Sequence, residues 1–174
     1  MTERAVCPTL HGVRLTLEPL TAGHALALFP LLADSELWLY ANDRQPESVE
    51  ALRERYRRWE TRRSPDGRQL WLNWAVMVTG DGIGGFVQAT VPIGTGTAEI
   101  AYVIAKRFWS LGLGTEAVRV MLAFLQCTLR VETVTATVDD RNAASLRLLQ
   151  KLRFNVVDSA DTRNLKLKST LETP

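Results

Sequence analysis

Gly112 and Gly114 stand one residue apart, with a nearly uncharged run before them and Thr115-Glu116-Ala117 after them, and that arrangement is suited to holding an anion. The run before them, from Ala98 to Ala105, reads as a strand with Ile100, Tyr102 and Ile104 on one face and Ala101, Val103 and Ala105 on the other. So little charge predicts that both faces are covered. The run after them reads as a helix: Val118, Met121, Leu122, Leu125 and Leu129 form an apolar stripe, and Glu116, Arg119, Gln126 and Arg130 take the opposite side. By itself a Gly-Leu-Gly is a tight turn or a close backbone approach. Between a strand and a helix start it also aims unpaired backbone N–H groups, and the positive end of the helix dipole, at one point that suits a phosphate.

Three side chains join the glycines as candidates. Glu99 is an acid in an apolar strand, so it belongs at an end or facing a cleft, its plain alternative being a surface acid. Ser145 shares a helix face with Leu148, Leu149 and Leu152, which turns a hydroxyl inward; bonding the carbonyl one turn back is the plain alternative. Asn142, just before that helix, is by default its N-cap.

The elements that position these residues follow from periodicity. Residues 13–20 alternate, Val13, Leu15 and Leu17 against Arg14, Thr16 and Glu18, as a strand with one wet face. Thr21 caps a helical run from Ala25 to Ala33 that Pro30 is expected to kink or split. Pro46 sits near the start of a second helix with Val49, Leu52, Tyr56 and Trp59 inward. Its six arginines, at 53, 55, 57, 58, 62 and 63, alternate with glutamates and read as a solvated face of i, i+4 pairs. Strands follow from Leu70 to Val78 and about Ile83 to Ile93, the second carrying Gly84-Gly85 and Pro92 as marks of bulges or an edge, before the strand at 98. After the central helix come a strand at 133–139, a helix at 143–152, and a hairpin of 154–159 and 165–171 turning at 160–163. The order predicts one α+β domain over residues 1–174, a sheet layer with helices on it.

Composition narrows the partners. In 174 residues, 21 basic and 19 acidic side chains are too balanced for a protein that coats nucleic acid by neutralising phosphates. Two cysteines, Cys7 and Cys127, and two histidines, His11 and His24, argue against a disulfide framework or a metal centre. With no apolar run near the ~18 residues of a membrane span and no export signal at the N-terminus, the expectation is a soluble, cytoplasmic protein, with a homodimer left open.

The strand Ala-Glu-Ile-Ala-Tyr-Val-Ile, the loop Trp-Ser-Leu-Gly-Leu-Gly-Thr-Glu-Ala and the later Asp-Asp-Arg-Asn-Ala-Ala-Ser-Leu-Arg-Leu-Leu together resemble the GNAT superfamily of acetyl-CoA-dependent N-acetyltransferases. Within it the chain is most similar to the ribosomal-protein N-terminal acetyltransferase (RimJ/RimL) branch. The resemblance implies a three-layer α/β/α fold with a mixed, mostly antiparallel sheet in which the strands at 99–105 and 133–139 run parallel and splay apart. It implies that the pantetheine arm of acetyl-CoA lies in that gap along Val103, Ile104 and Ala105, with the diphosphate on Ser110, Leu111, Gly112, Leu113, Gly114 and Thr115. Asn142 and Ser145 would line the thioester end. Glu99 would take a proton from the attacking amine, the backbone N–H near Val103 or Ile104 would polarise the carbonyl, and Ser145 would bond or protonate the leaving sulfur. Three positions depart from the family pattern. Trp109 replaces the Gln or Arg that begins the phosphate loop, with Arg107 offered as a substitute; Leu149 stands where many relatives have a tyrosine acid; and Arg153 replaces a glycine, which should reshape the loop beside Phe154.

Two readings compete with acetyl transfer. Gly112 to Ala117 also fits a dinucleotide-binding G-x-G-x-x-A, with Glu132 as the ribose acid of an NAD(P)-dependent oxidoreductase. A non-catalytic CoA-binding or regulatory module is the other.

Overall fold

Leu15 and Leu17 point inward and Arg14 and Glu18 flank them, but the strand they form is shorter than its alternation suggests. In the computed structural model, which describes residues 6–41, 43–159 and 163–171, β1 (Leu10–His11) pairs with β2 (Leu15–Pro19) in an antiparallel hairpin. Val13, expected inward, is 93% exposed in the turn between them. The cause is Glu116, whose carboxylate accepts the backbone N–H groups of Val13 and Arg14 at 2.8 and 2.7 Å. Those donors are thereby withdrawn from the sheet.

Thr21 caps a short 3-10 turn at Ala22–His24, and α1 (Ala25–Leu32) continues from it. Pro30 neither splits nor ends α1, because it sits within a turn of the C-terminus, where the Ala33 N–H still reaches the Phe29 carbonyl at 3.0 Å. Two residues after Pro46, Ser48 caps α2 (Val49–Glu60): its Oγ accepts the Ala51 N–H at 3.0 Å. Leu52 and Tyr56 bury one side of α2.

The meander then forms as the alternation predicts, β3 (Gln69–Val78) on β4 (Gly82–Pro92) and β4 on β5 (Thr97–Ile104), all antiparallel. The register slips between Val76 and Met77, where Gly84 and Gly85 bulge the partner strand. Gly85 is required there: at φ 145 a Cβ would lie 2.1 Å from the Val103 carbonyl oxygen. Beyond β5 come α3 (Leu113–Leu129), β6 (Thr133–Asp139), α4 (Ala143–Lys151), β7 (Asn155–Ser159) and β8 (Asn164–Thr170). Of the expected turn at 160–163, residues 160–162 lie outside the described residues.

The eight strands form one sheet in the order β1-β2-β3-β4-β5-β6-β8-β7, with β5 and β6 its only parallel pair among the described residues. Leu72, Trp74, Val76, Ile100 and Val134 pack beneath Met121 and Leu125 of α3 and Leu149 of α4. Ala75 and Phe86 pack on the other side against Leu28, Leu32, Leu52 and Tyr56. Helices on both faces of a mixed sheet make the three layers, and burying a side chain of this size contributes roughly 1.5–3 kcal/mol. No helix of the described residues is long and apolar enough to cross a membrane.

Candidate active site

Only three residue pairs hold β5 to β6, Thr97 with Thr133, Ala98 with Val134 and Glu99 with Thr135. Past them β5 stays on β4, Ile104 reaching Gly85, while β6 stays on β8, Asp139 reaching Asn164. Each strand keeps its antiparallel partner and the two part, so a gap opens beside Ile100–Ile104.

Backbone groups alternate along a strand, and two hydrogen bonds fix which ones face this gap. The Ala98 carbonyl accepts from Thr135 Oγ1 on β6 at 3.5 Å, and the Ala105 N–H donates to the Gly84 carbonyl of β4 at 2.8 Å. The polar backbone groups of Tyr102 and Ile104 therefore point into the gap, and those of Val103 point to β4. This corrects two sequence expectations. Val103 offers its amide to the sheet, and Ala105 has both groups engaged, its carbonyl accepting the Phe108 N–H at 2.9 Å. The Ile104 carbonyl accepts the Trp109 indole N–H at 2.7 Å.

At the wide end of the gap the chain turns into α3. Ser110 and Gly112 both adopt left-handed backbone, φ 61 and 77, which swings the chain so that α3 begins at Leu113 with no side chain capping it. The N–H groups of Leu113, Gly114 and Thr115 precede the first intrahelical bond, which runs from the Glu116 N–H to the Gly112 carbonyl at 3.1 Å. Gly114 lies between Ile104 of β5 and Leu148 of α4; a Cβ would meet their side chains at 3.4 and 3.1 Å. The helix start thus covers the mouth of the gap at van der Waals distance.

Arg107 does not reach this loop. Its guanidinium donates to the Asp81 and Ile83 carbonyls at 3.2 and 3.0 Å and lies over the Phe108 ring, so the expected phosphate-loop cation belongs to the β3–β4 hairpin instead. A different arginine is at the loop: Arg14 donates to the Leu111 carbonyl and to Glu116, both at 2.8 Å. Sequence reading assigned Glu116 to the solvent side of α3, yet its side chain is only 13% exposed. Burial raises its pKa, but the Arg14 backbone N–H, the Arg14 guanidinium and the Val13 N–H together outweigh that and hold the carboxyl below the usual range. The partners are more than 100 residues away in sequence, so no local pattern signals them.

Glu99 is exposed, at the point where the strands part, and accepts from Thr137 Oγ1 of β6 at 3.4 Å. Ala101 is exposed as well, so β5 is not covered on both faces as expected: the Glu99–Ala101 side is open. Asn142 caps α4 by accepting the Ser145 N–H at 3.0 Å. Ser145 Oγ lies 2.6 Å from Tyr102 Oη, a hydroxyl that sequence reading counted only as strand face. Leu149 is fully buried in the core. Asp139, where β6 ends, grips Arg141 through both carboxylate oxygens at 2.8 and 2.7 Å. That guanidinium and the Arg141 backbone N–H hold the Asp139 carboxyl down at about 2. Glu132 stands at the opposite end of β6, its backbone paired with Gly96 and Leu171, so it cannot serve a ribose near Gly112. With the sheet mostly antiparallel, the dinucleotide-binding alternative is set aside.

On the other face, a cleft of about 400 Å³ lies between the loop before α2 and α2 itself, lined by Asp43, Arg44, Glu47, Arg55 and Arg58 among others. Of the arginine-rich helix, Arg55 pairs with Asp43, Arg57 pairs with Glu54, and Arg62 is buried against the Leu20 carbonyl at 2.7 Å. The expected ladder of i, i+4 pairs is thus one i, i+3 pair and one contact to the preceding loop among the described residues.

A splayed parallel pair beside an uncapped helix start is a fold shared with solved acetyltransferases. RimL, a ribosomal L7/L12 alpha-N-protein acetyltransferase in complex with coenzyme A, superposes with a TM-score of 0.80 at 14% identity, covering 94% of this chain and 98% of that one. Mycobacterium smegmatis RimJ, in complex with CoA-disulfide, superposes at 0.79 with 18% identity over 94% of this chain and 87% of that one. In sequence, an uncharacterized N-acetyltransferase, p20, from Bacillus licheniformis is 27% identical over 146 residues, 84% of this chain and 82% of that protein. The family profile of the acetyltransferase (GNAT) domain matches residues 14–155. The chain therefore belongs to the GNAT acetyltransferase family and is an N-acetyltransferase.

Proposed function

We propose that the protein moves the acetyl group of acetyl-CoA onto a primary amine, either the α-amine of a peptide or that of a small molecule, by direct attack of the amine on the thioester. The observation that carries this reading is the coincidence, in one place, of an uncapped helix start and an unpaired strand edge. The first suits the diphosphate: the N–H groups of Leu113, Gly114 and Thr115 precede the first intrahelical bond, and the left-handed turns at Ser110 and Gly112 would let backbone approach it. The second suits the pantetheine arm, whose amides would pair with the gap-facing groups of Tyr102 and Ile104 as an added strand does. Trp109 would yield the Ile104 carbonyl on binding.

Acetyl-CoA supplies the activated acyl group. The chain's residues do the rest. Glu99, at the open side of β5, takes the proton of the amine, directly or through water. An α-amine with a pKa near ~7.7–8.0 needs less of that help than a lysine near ~10.4. The Ile104 N–H, aimed into the gap, stabilises charge on the carbonyl oxygen. Ser145 bonds the leaving sulfur. The name of RimL, an alpha-N-protein acetyltransferase, favours a peptide α-amine as acceptor, and free Cys7 and Cys127 suit a reducing cytoplasm.

The test is an acceptor screen that sets N-terminal peptides against amino acids and polyamines, read as thiol released from acetyl-CoA. Turnover with one acceptor class is expected. Tight binding with no thiol release for any acceptor would favour a CoA-binding module instead.

A further inference from the structure

Two hydroxyls from different elements meet across the open part of the gap, Tyr102 Oη of β5 and Ser145 Oγ in the first turn of α4, 2.6 Å apart. At Tyr102 the strand has already left β6, since the last β5–β6 pair is Glu99 with Thr135. The Ser145 backbone is fixed by the Asn142 cap at 3.0 Å, so the bond to Tyr102 sets the direction of the serine hydroxyl. Burial pushes the Tyr102 phenol up to about 12, against a smaller lowering by Ser145, so it carries its hydrogen at any working pH. A phenol is also a stronger donor than an aliphatic alcohol. The favoured arrangement is Tyr102 Oη–H donating to Ser145 Oγ, and a hydroxyl that accepts one hydrogen bond donates its own more strongly.

Resting on the function proposed above, we infer that Tyr102 is a positioning residue that turns the Ser145 hydroxyl hydrogen toward the sulfur of coenzyme A and strengthens it as a donor. In the step it serves, the amine nitrogen bonds the acetyl carbon, the carbon–sulfur bond breaks, and its electron pair goes to sulfur. The amine reacts in its neutral form, its ammonium proton having passed on to solvent, and the surplus proton left on the nitrogen after attack goes to Glu99. Ser145 stabilises the departing thiolate by a hydrogen bond and keeps its own proton.

The probe is coenzyme A at saturation on the full chain, with the thiolate followed by ultraviolet absorbance at one fixed pH. No acceptor is needed. On wild type the bound thiol should ionise more readily than on Ser145→Ala, on the order of tenfold in its ionisation constant, the effect of a hydrogen bond to a charged acceptor. Tyr102→Phe keeps the ring and the backbone and, at saturating coenzyme A, should lose most of that gain; the double variant should be no worse than Ser145→Ala alone. A fluorinated, more acidic tyrosine at 102 should raise ionisation further, which a purely structural pin would not do, and this arm stands even if the phenylalanine variant folds poorly. Coenzyme A bound with equal thiol ionisation in wild type, Tyr102→Phe and the fluorotyrosine protein overturns the inference and leaves the proposed function standing. Failure of the wild type to bind coenzyme A defeats the reading of the site as a whole.

Discussion

Glu99 occupies the one point on β5 where a carboxylate is both next to the gap and open to an incoming acceptor. If it takes the amine proton, Glu99→Gln should lower turnover on the order of 10²-fold while leaving acetyl-CoA affinity within about twofold; kcat across pH and a binding titration check both, and equal rates at every pH remove Glu99 as the base. Asp139 makes a different kind of prediction. Its carboxyl ionises at about 2 when folded, below its ordinary 3.8, because of Arg141. A depressed carboxyl stabilises the fold above its unfolded pKa and loses that contribution as pH falls through the folded value. Asp139→Asn should therefore melt below wild type at pH 7, with the difference closing between about pH 4 and pH 2, as thermal melts at stepped pH would show. Glu99 was legible in the sequence because an acid in an apolar strand stands out. Tyr102 was not, since an aromatic at that position satisfies the strand pattern and its partner Ser145 lies 43 residues on. Arg107 misled because a guanidinium binds the nearest free carbonyls, and the hairpin that supplies Asp81 and Ile83 lies outside the motif.

Among the helices and strands, two helix ends concentrate both strain and binding capacity. α4 closes with the Phe154 N–H on the Leu149 carbonyl and the Arg153 N–H on the Gln150 carbonyl, both 3.0 Å, the paired bonds of a Schellman motif. That motif needs a left-handed residue, and Arg153 supplies it at φ 62. The arginine thus holds a backbone conformation that favours glycine and bears its strain. Arg153→Gly should stabilise the protein by roughly 0.5–1 kcal/mol, raising Tm by about 1–3 °C. At the start of α3, Gly114→Asp would set a carboxylate against the anion and press on Leu148; affinity for acetyl-CoA should fall on the order of tenfold or more by titration. The helices and the meander were readable from periodicity. The β1 hairpin and the exposed Val13 were not, because a carboxylate from α3 dictates them.

Across the whole molecule, the layer order followed from the sequence of strands and helices, whereas the gap was supplied by resemblance alone. Its origin is a competition no local pattern records: beyond Glu99, β4 claims β5 and β8 claims β6. The same parting leaves β5 with one protected edge and one bare edge along a single stretch of backbone. In deuterated water without ligand, the amides of Val103 and Ala105, turned to β4, should keep their hydrogens long after Tyr102 and Ile104 have exchanged, a slow-fast alternation read residue by residue by NMR. Coenzyme A should erase that alternation by slowing the even-numbered pair, so the strand itself becomes a gauge of occupancy in which each amide reports the neighbour it faces.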